Sequence, residues 1–189
     1  GGQPFGCPPV LRGGSSAPPA PPMGFSLRET QCEPSGTYPG DALCGCFPWG
    51  PWLVGNPKAI DRAIAQEAQK QGLQPLPVRQ GYSACSVALV DGESAITADQ
   101  GMFQALRAKG FAVLLIRPGH IALPGYDTGF IGGCCGKLAP DKLAFAGALS
   151  SHPDGERMRE FLHSRCVAPV ELRESPLVDV GGILPLRER

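Results

Sequence analysis

The sequence lacks an excess of charge of either sign and lacks any long apolar run. Its 17 Lys and Arg residues balance 17 Asp and Glu residues, and the basic residues form no cluster. A nucleic-acid or anionic-membrane partner would require a basic patch, so neither partner is expected. No apolar stretch reaches the roughly 20 residues that cross a bilayer, which predicts a soluble protein.

The sequence also shows no secretory signal peptide, and its eight cysteines lack the spacing of a zinc site. Disulfide frameworks belong to small secreted domains, so we expect reduced cysteines and a cytoplasmic location. The pairs Cys44-x-Cys46 and Cys134-Cys135 depart from the C-x2-C spacing that surrounds zinc with four ligands. The Gly-rich run at 129–136 fits neither nucleotide-binding fingerprint. We therefore predict no metal and no cofactor.

Glycine and proline are abundant, with 26 Gly and 21 Pro in 189 residues. Residues 1–40 hold nine of the prolines and eight of the glycines. Such a segment buries too little apolar surface to offset the entropy lost on ordering. The remaining residues are enough to build one core. We divide the chain into a Pro/Gly-rich lead-in, 1–37, predicted to be disordered or not native-like, and one domain, 38–189.

From about residue 49, a strand or strand pair, a helix and a further strand recur three times. The predicted strands read WLVGN and LQPLPVR, then the hairpin SACSVALVDGESAITA and FAVLLIR, then FIGGCCGKL, KLAFAGAL and VAPVELR. Asn56 is the predicted cap of the first helix, and Asp91-Gly92 predicts a type I′ turn. Repetition of this kind predicts an α/β fold of packed units. Three helices are predicted, at Pro57–Gly72, Asp99–Lys109 and Ser151–Arg165. Each range includes the residues that begin the helix.

Three segments carry a family resemblance: YSACSVALVDGESAITAD, LLIRPGHIALPGYDTGFIGGCCGKL and PLVDVGGILPL. They resemble an uncharacterised bacterial family with the pentein fold, the fold of guanidino-group-modifying enzymes. The likeness covers roughly 38–189. It implies an α/β propeller of five ββαβ units around a central channel. With about three units, the chain would form an incomplete propeller, closed by missing N-terminal residues or by another chain in a homo-oligomer.

The resemblance also implies a chemistry. Active penteins use a Cys nucleophile on the guanidino carbon, a His acid/base, and carboxylates that match the guanidinium fork. Their Cys lies near the C-terminus, often after a Gly-rich turn and a His. The matching stretch here, 179–186, holds neither Cys nor His. The resemblance therefore favours a protein that binds a small guanidino- or amino-acid-like ligand without the usual cysteine.

Two alternatives stay open. A divergent Cys-dependent amidinohydrolase, deiminase or amidinotransferase would use Cys134 or Cys135 as nucleophile, His152 as acid/base and Asp127 as guanidinium anchor. A scaffold or interaction protein would keep the fold without activity. Small cysteines in a glycine-rich strand are also ordinary packing residues, and Cys85 is predicted to lie in the core.

Further ligand-binding candidates are Asp179, Arg117, Gly132 and Gly133. Asp179 precedes a Gly-Gly pair, and Gly132 and Gly133 would let a backbone or ligand approach closely. Arg117 ends the second returning strand, where it faces either solvent or a central channel. Ordinary turn chemistry accounts equally for the aspartates, and a residue beside a helix cap, such as His152, is usually exposed.

Overall fold

A computed structural model describes residues 29–185, and in this range the chain is a mixed α/β protein. Its described strands form three sheets of three strands each. In every sheet two antiparallel strands are followed by a helix and by a third strand parallel to the second. The α/β class and the three repeated units are therefore confirmed. The lead-in is described only from residue 29 onward.

Each unit consists of three strands and one α-helix. Unit 1 contains β1 (Phe47–Trp49), β2 (Trp52–Gly55), α1 (Arg62–Lys70) and β3 (Gln74–Pro77). Unit 2 contains β4 (Val87–Leu89), β5 (Ser94–Thr97), α2 (Gln100–Arg107) and β6 (Ala112–Leu115). Unit 3 contains β7 (Cys135–Ala139), β8 (Lys142–Phe145), α3 (Gly155–Ser164) and β9 (Ala168–Glu171), with one 3₁₀ turn, Leu149–Ser151, before α3.

The first helix begins later than the sequence predicts, at Arg62 rather than Pro57. Asn56 does not cap it, because the Asn56 side chain accepts the Lys58 N–H in a local turn and donates to the Arg79 carbonyl. The cap is Asp61, which accepts the N–H of Ala63. A turn therefore separates the end of β2 at Gly55 from the start of α1 at Arg62. The spacing of the apolar residues did not indicate this turn.

Unit 2 follows the prediction most closely. Asp99 caps α2 by accepting the Met102 N–H at 2.7 Å. Gly110, after α2, and Gly72, after α1, have φ of +89° and +75°, so each ends its helix in the left-handed region that suits glycine.

The hairpin of unit 2 is confirmed, but its turn is not type I′. Neither Asp91 nor Gly92 has the positive φ that a type I′ turn requires. The N–H groups of Val90 and Asp91 both donate to the Ser94 carbonyl, and the Asp91 side chain accepts the Glu93 N–H. The loop is therefore one residue longer than a two-residue turn and is stabilised by its aspartate.

The units pack side by side through their helices. One core cluster joins strands of units 1 and 2 around Met102 and Leu106 of α2. A second cluster joins strands of units 2 and 3 around Met158 and Leu162 of α3. Residues of each of these helices thus share a core with strands of two units, and the interiors of neighbouring units are continuous.

Backbone hydrogen bonds link the loops that precede the first strands. In each unit, the acceptor is the backbone carbonyl of the residue two positions before the first paired residue of the first strand. These acceptors are Gly45, Cys85 and Gly133. Ala84 N–H donates to Gly45 O at 3.2 Å, and Gly132 N–H donates to Cys85 O at 2.8 Å. Val180 N–H donates to Gly133 O at 3.0 Å. The segment after unit 3 therefore continues the same loop-to-loop pattern.

Candidate functional site

Asp179 lies on this last segment, and its carboxylate is turned into the protein. The residue is 8% exposed. Its Oδ2 accepts the Phe130 N–H at 2.8 Å, and its Oδ1 accepts the Gly181 N–H at 2.9 Å. Within residues 29–185, no Lys, Arg or His forms an ion pair with this carboxylate. Asp179 is thus a nearly buried anion held only by backbone amides.

Gly133 is the position that admits this carboxylate. A Cβ built on Gly133 would lie 2.1 Å from Asp179 Oδ1 and 2.3 Å from Asp179 Cγ. A Cβ on Gly132 would lie 2.4 Å from the Val87 carbonyl oxygen. Both glycines permit a close approach, as the sequence indicates, but the approaching groups are the protein's own carboxylate and backbone.

Cys134 and Cys135 lie in the core beneath Asp179. Cys134 Sγ donates to the Ile131 carbonyl at 3.2 Å, and both residues belong to the cluster between units 2 and 3. Burial, together with the nearby Asp179 charge, raises the pKa of the Cys134 thiol to about 12. The pKa of Cys135 is also raised, first by burial. These environments favour neutral packing thiols over thiolates.

Cys85 differs from its sequence-based prediction. It precedes β4 rather than lying within it, and it is half-buried rather than part of the core. Burial and the Asp179 charge raise the pKa of its thiol. Cys85 is therefore the partly accessible cysteine of this region.

An aromatic surface adjoins Asp179. The rings of Tyr82 and Phe130 lie with centroids 5.9 Å apart, and Phe130 is also the residue whose N–H binds Asp179. Tyr82 Oη donates to Asp41 Oδ2 at 2.6 Å, which raises the pKa of Tyr82 to about 12. Tyr126, four residues before Phe130, is 75% exposed. We call Asp179, Phe130, Tyr82 and Cys85 the Asp179 site.

The two aromatic members of this site were not predicted from the sequence. Tyr82 and Phe130 each lie five residues before the first paired residue of their unit, Val87 and Cys135. If the repeats are aligned on their strand pairing rather than on their helices, the two aromatic residues occupy equivalent positions in units 2 and 3.

The other predicted site residues form a separate group. Asp154 is 1% exposed, and its Oδ2 accepts the backbone N–H of Arg117 at 2.8 Å. Its Oδ1 pairs with Arg157 Nη1 at 2.8 Å. The Arg117 N–H and the Arg157 guanidinium lower the pKa of Asp154. The side chain of Arg117 itself is mostly exposed.

His152 belongs to this second group and is buried, at 4% exposure, so its prediction as an exposed neighbour of a cap is wrong. Its Nε2 donates to the Arg117 carbonyl at 3.1 Å, and its Nδ1 accepts the Asp154 N–H at 3.0 Å. Burial, the largest cause, lowers the pKa of His152. Both ring nitrogens are thus occupied by the backbone, and neither forms a hydrogen bond with Cys134 or Cys135.

Asp127 lies outside both groups. It is exposed in the turn between units 2 and 3 and makes no hydrogen bond or ion pair within the described range. The structure therefore brings Asp179, Gly132, Gly133 and the two cysteines together, and it joins His152 to Arg117, but it does not combine these with Asp127.

Metal-binding and membrane-spanning features are absent from the described part of the chain. There, no group of three or more His, Cys, Asp or Glu side chains could hold a metal ion. In the same range, no helix is long and apolar enough to cross a membrane.

The three ββαβ units and the loop-to-loop hydrogen bonds are those of a repeat-built α/β protein. Within this class, a family of unknown function, DUF6873, matches residues 20–184, so the chain belongs to that family. No curated protein matches the chain, and no solved structure does.

Proposed function

We propose that the protein is a pentein-type propeller, or the larger part of one, that binds a small guanidino- or amino-acid-like ligand at the Asp179 site. Support for the propeller comes from the three units, which repeat the same ββαβ order. Further support comes from the loop carbonyls of Gly45, Cys85 and Gly133, each of which accepts a hydrogen bond from the following segment. Such a series of links between successive units is expected of units arranged around an axis.

Asp179 is the observation that carries the ligand proposal. A carboxylate offers about four acceptor positions, and two N–H groups use two of them. A nearly buried charge without a cationic partner is costly, and a bound cation would offset that cost. A guanidinium suits this role because its planar fork of donors matches a carboxylate.

The aromatic surface supports the same ligand class. Guanidinium and ammonium groups are attracted to the faces of aromatic rings, by about 0.5–2 kcal/mol depending on exposure. Tyr82 and Phe130 supply two such rings in contact with each other, the backbone N–H of Phe130 binds Asp179, and Asp41 adds a second carboxylate next to Tyr82. The carboxylate of Asp41 raises the pKa of Tyr82, and that of Asp179 contributes to the raised pKa of Cys85, so two carboxylates act on this region. A cationic group is therefore the complementary ligand.

The geometry gives less support to a cysteine-dependent hydrolase. A nucleophilic cysteine needs a lowered thiol pKa and a base within hydrogen-bond reach. The thiols of Cys134 and Cys135 have raised pKa values and face backbone carbonyls, and His152 is bound to other groups. A scaffold without ligand would account for the two hydrogen bonds of Asp179, but it would leave the charge of this nearly buried carboxylate without a cationic partner. Binding is accordingly the function that we place first.

The experiment is isothermal titration calorimetry of the protein with L-arginine, methylguanidine and L-citrulline. Citrulline replaces the guanidinium by a neutral urea of similar shape. We expect arginine and methylguanidine to bind at least about tenfold more tightly than citrulline, because a hydrogen bond to a charged group contributes about 1.5–3 kcal/mol. Equal affinities for arginine and citrulline, or no binding of any of the three, would refute the proposal.

A further inference from the structure

His152 and Asp154 hold the backbone of Arg117 at two points. The Arg117 N–H donates to Asp154 Oδ2 at 2.8 Å, and the Arg117 carbonyl accepts from His152 Nε2 at 3.1 Å. Arg117 follows β6 of unit 2, whereas His152 and Asp154 precede α3 of unit 3. We call this arrangement the Arg117 clamp. It fixes the chain where it leaves unit 2.

The clamp accepts only one protonation state of His152. The Arg117 carbonyl is solely an acceptor, so Nε2 must carry a proton. The Asp154 backbone N–H is solely a donor, so Nδ1 must not carry one. A second proton on Nδ1 would turn the 3.0 Å hydrogen bond from Asp154 into a contact between two N–H groups. Protonation of this buried ring is therefore incompatible with the observed geometry.

The chain beyond the clamp leads to Asp179. After Arg117 it turns at Gly119, with φ of +92°, and then pairs with the segment that carries the candidate site. Ala122 N–H donates to the Leu177 carbonyl at 2.9 Å, and Asp179 N–H donates to the Ala122 carbonyl at 2.8 Å. The segment between clamp and pairing is only a few residues long, so the two are mechanically connected.

We propose that the Arg117 clamp is a proton-sensitive switch: protonation of His152 releases Arg117, loosens the 118–123 segment and withdraws the backbone support of Asp179. The loosening itself does not depend on the proposed function. Its consequence, weaker ligand binding in acid, does rest on that function.

Four charged or titratable groups surround the switch. Asp154 faces His152 from the start of α3 and favours its protonated form, and Arg117 opposes that form. His120 contacts the His152 ring edge-on at 5.3 Å and also opposes its protonation. Arg157 acts through its ion pair with Asp154. Desolvation is the largest effect on His152.

The sign of the pH dependence follows from this lowered pKa. The folded protein binds the His152 proton less readily than the unfolded chain does. The clamp is therefore at full strength above the ordinary histidine pKa of about 6.5, and it weakens as the pH falls below that value and through the folded pKa.

The test is amide hydrogen exchange by NMR, expressed as protection factors, between about pH 7.5 and about pH 5. The informative amides are those of Ala122 and Asp179, and the reference is Gln74, whose N–H donates to Pro51 O in unit 1. We expect the first two amides to lose protection at least about tenfold relative to Gln74 on acidification. Unchanged relative protection would overturn the proposal.

Two variants separate His152 from other titrating groups. In His152→Gln, the amide keeps a donor and an acceptor but does not titrate, so the relative protection should no longer change with pH. In His120→Ala, both hydrogen bonds of the clamp remain and a ring that opposes His152 protonation is lost, so the pH dependence should persist with its midpoint at higher pH. A pH dependence that survives in His152→Gln, or disappears in His120→Ala, would contradict the proposal.

The wild-type ring gives a readout that does not depend on any variant folding. At neutral pH, the ¹⁵N shifts of His152 should report the neutral tautomer with the proton on Nε2, and acidification should change them together with the Ala122 amide. If His152 titrates without any change at Ala122, the switch is refuted. Loss of guanidino binding at all pH values, with the amide response intact, would refute only the proposed function.

Discussion

Two aspartates, Asp154 and Asp179, are both nearly buried, yet their partners differ. Asp154 accepts a backbone N–H from Arg117 and pairs with the guanidinium of Arg157, and its pKa is lowered by them. Asp179 accepts two backbone N–H groups and has no cationic partner within residues 29–185. Their burial is similar, but only one charge is neutralised by the protein itself.

The contrast assigns a different role to each carboxylate. Asp154 connects unit 2 to unit 3, and its neutralised charge leaves little for a ligand to recognise. Asp179 binds the backbone of Phe130, whose ring contacts Tyr82, and its unbalanced charge is the observation on which the proposed ligand binding rests. A buried carboxylate is thus a better guide to binding when its neighbours leave its charge unbalanced.

The largest expected effect concerns the thiols beneath Asp179. Because the pKa of Cys134 is raised to about 12, its thiolate fraction at about pH 8 should be at least about 10³-fold below that of an ordinary thiol. Iodoacetamide labelling followed by mass spectrometry should modify the exposed Cys166 readily, and Cys134 should remain unmodified. If Cys134 or Cys135 is labelled as fast as Cys166, the result would contradict this account and support a cysteine-dependent hydrolase.

Asp154→Ala should cost stability, and because it removes one of the two contacts of the Arg117 clamp, it should also weaken ligand binding at the Asp179 site. The variant removes the acceptor of the Arg117 N–H and the partner of Arg157, whose side chain is half-exposed and so screened by solvent. We expect a loss of about 3 kcal/mol in the free energy of unfolding, measured by urea denaturation. Asp127→Ala, at an exposed position, is the control and should change stability by less than about 0.5 kcal/mol. Equal stability of the two variants would remove the contrast between Asp154 and an ordinary surface aspartate.

Gly133→Ala should displace the Asp179 carboxylate, because the new Cβ would lie 2.1 Å from Oδ1. The expected cost is about 2 kcal/mol in urea denaturation, together with lost guanidino binding. Gly92→Ala is the matched control, since its Cβ would meet nothing within 4 Å and its φ is not positive. A Gly133→Ala variant that folds and binds like the wild type would show that the carboxylate position is unimportant.

The order of the repeats and the boundaries of α2 were predictable because they depend on local sequence. The Asp99 cap, the Gly72 and Gly110 helix ends and the unit 2 hairpin follow from propensity and spacing alone. The start of α1 was not predictable from the sequence, because the Asn56 side chain donates a tertiary hydrogen bond to the Arg79 carbonyl.

The candidate site was predictable only in part. Asp179 and Gly133 were recognisable from a glycine pair beside a carboxylate, but their contact spans distant parts of the chain and no local rule predicts it. His152 was chosen for its chemistry, whereas its burial and its two backbone partners result from the packing of unit 3 against unit 2.

The most direct measurement of the central claim compares Asp179→Asn with Asp127→Asn in calorimetric titrations with L-arginine. Asparagine keeps the shape and removes the charge at each position, and at position 179 it also replaces one of the two acceptor oxygens by a donor. The account predicts that Asp179→Asn weakens binding at least about tenfold and that Asp127→Asn leaves it unchanged. Unchanged binding in Asp179→Asn, or an equal loss in Asp127→Asn, would contradict it.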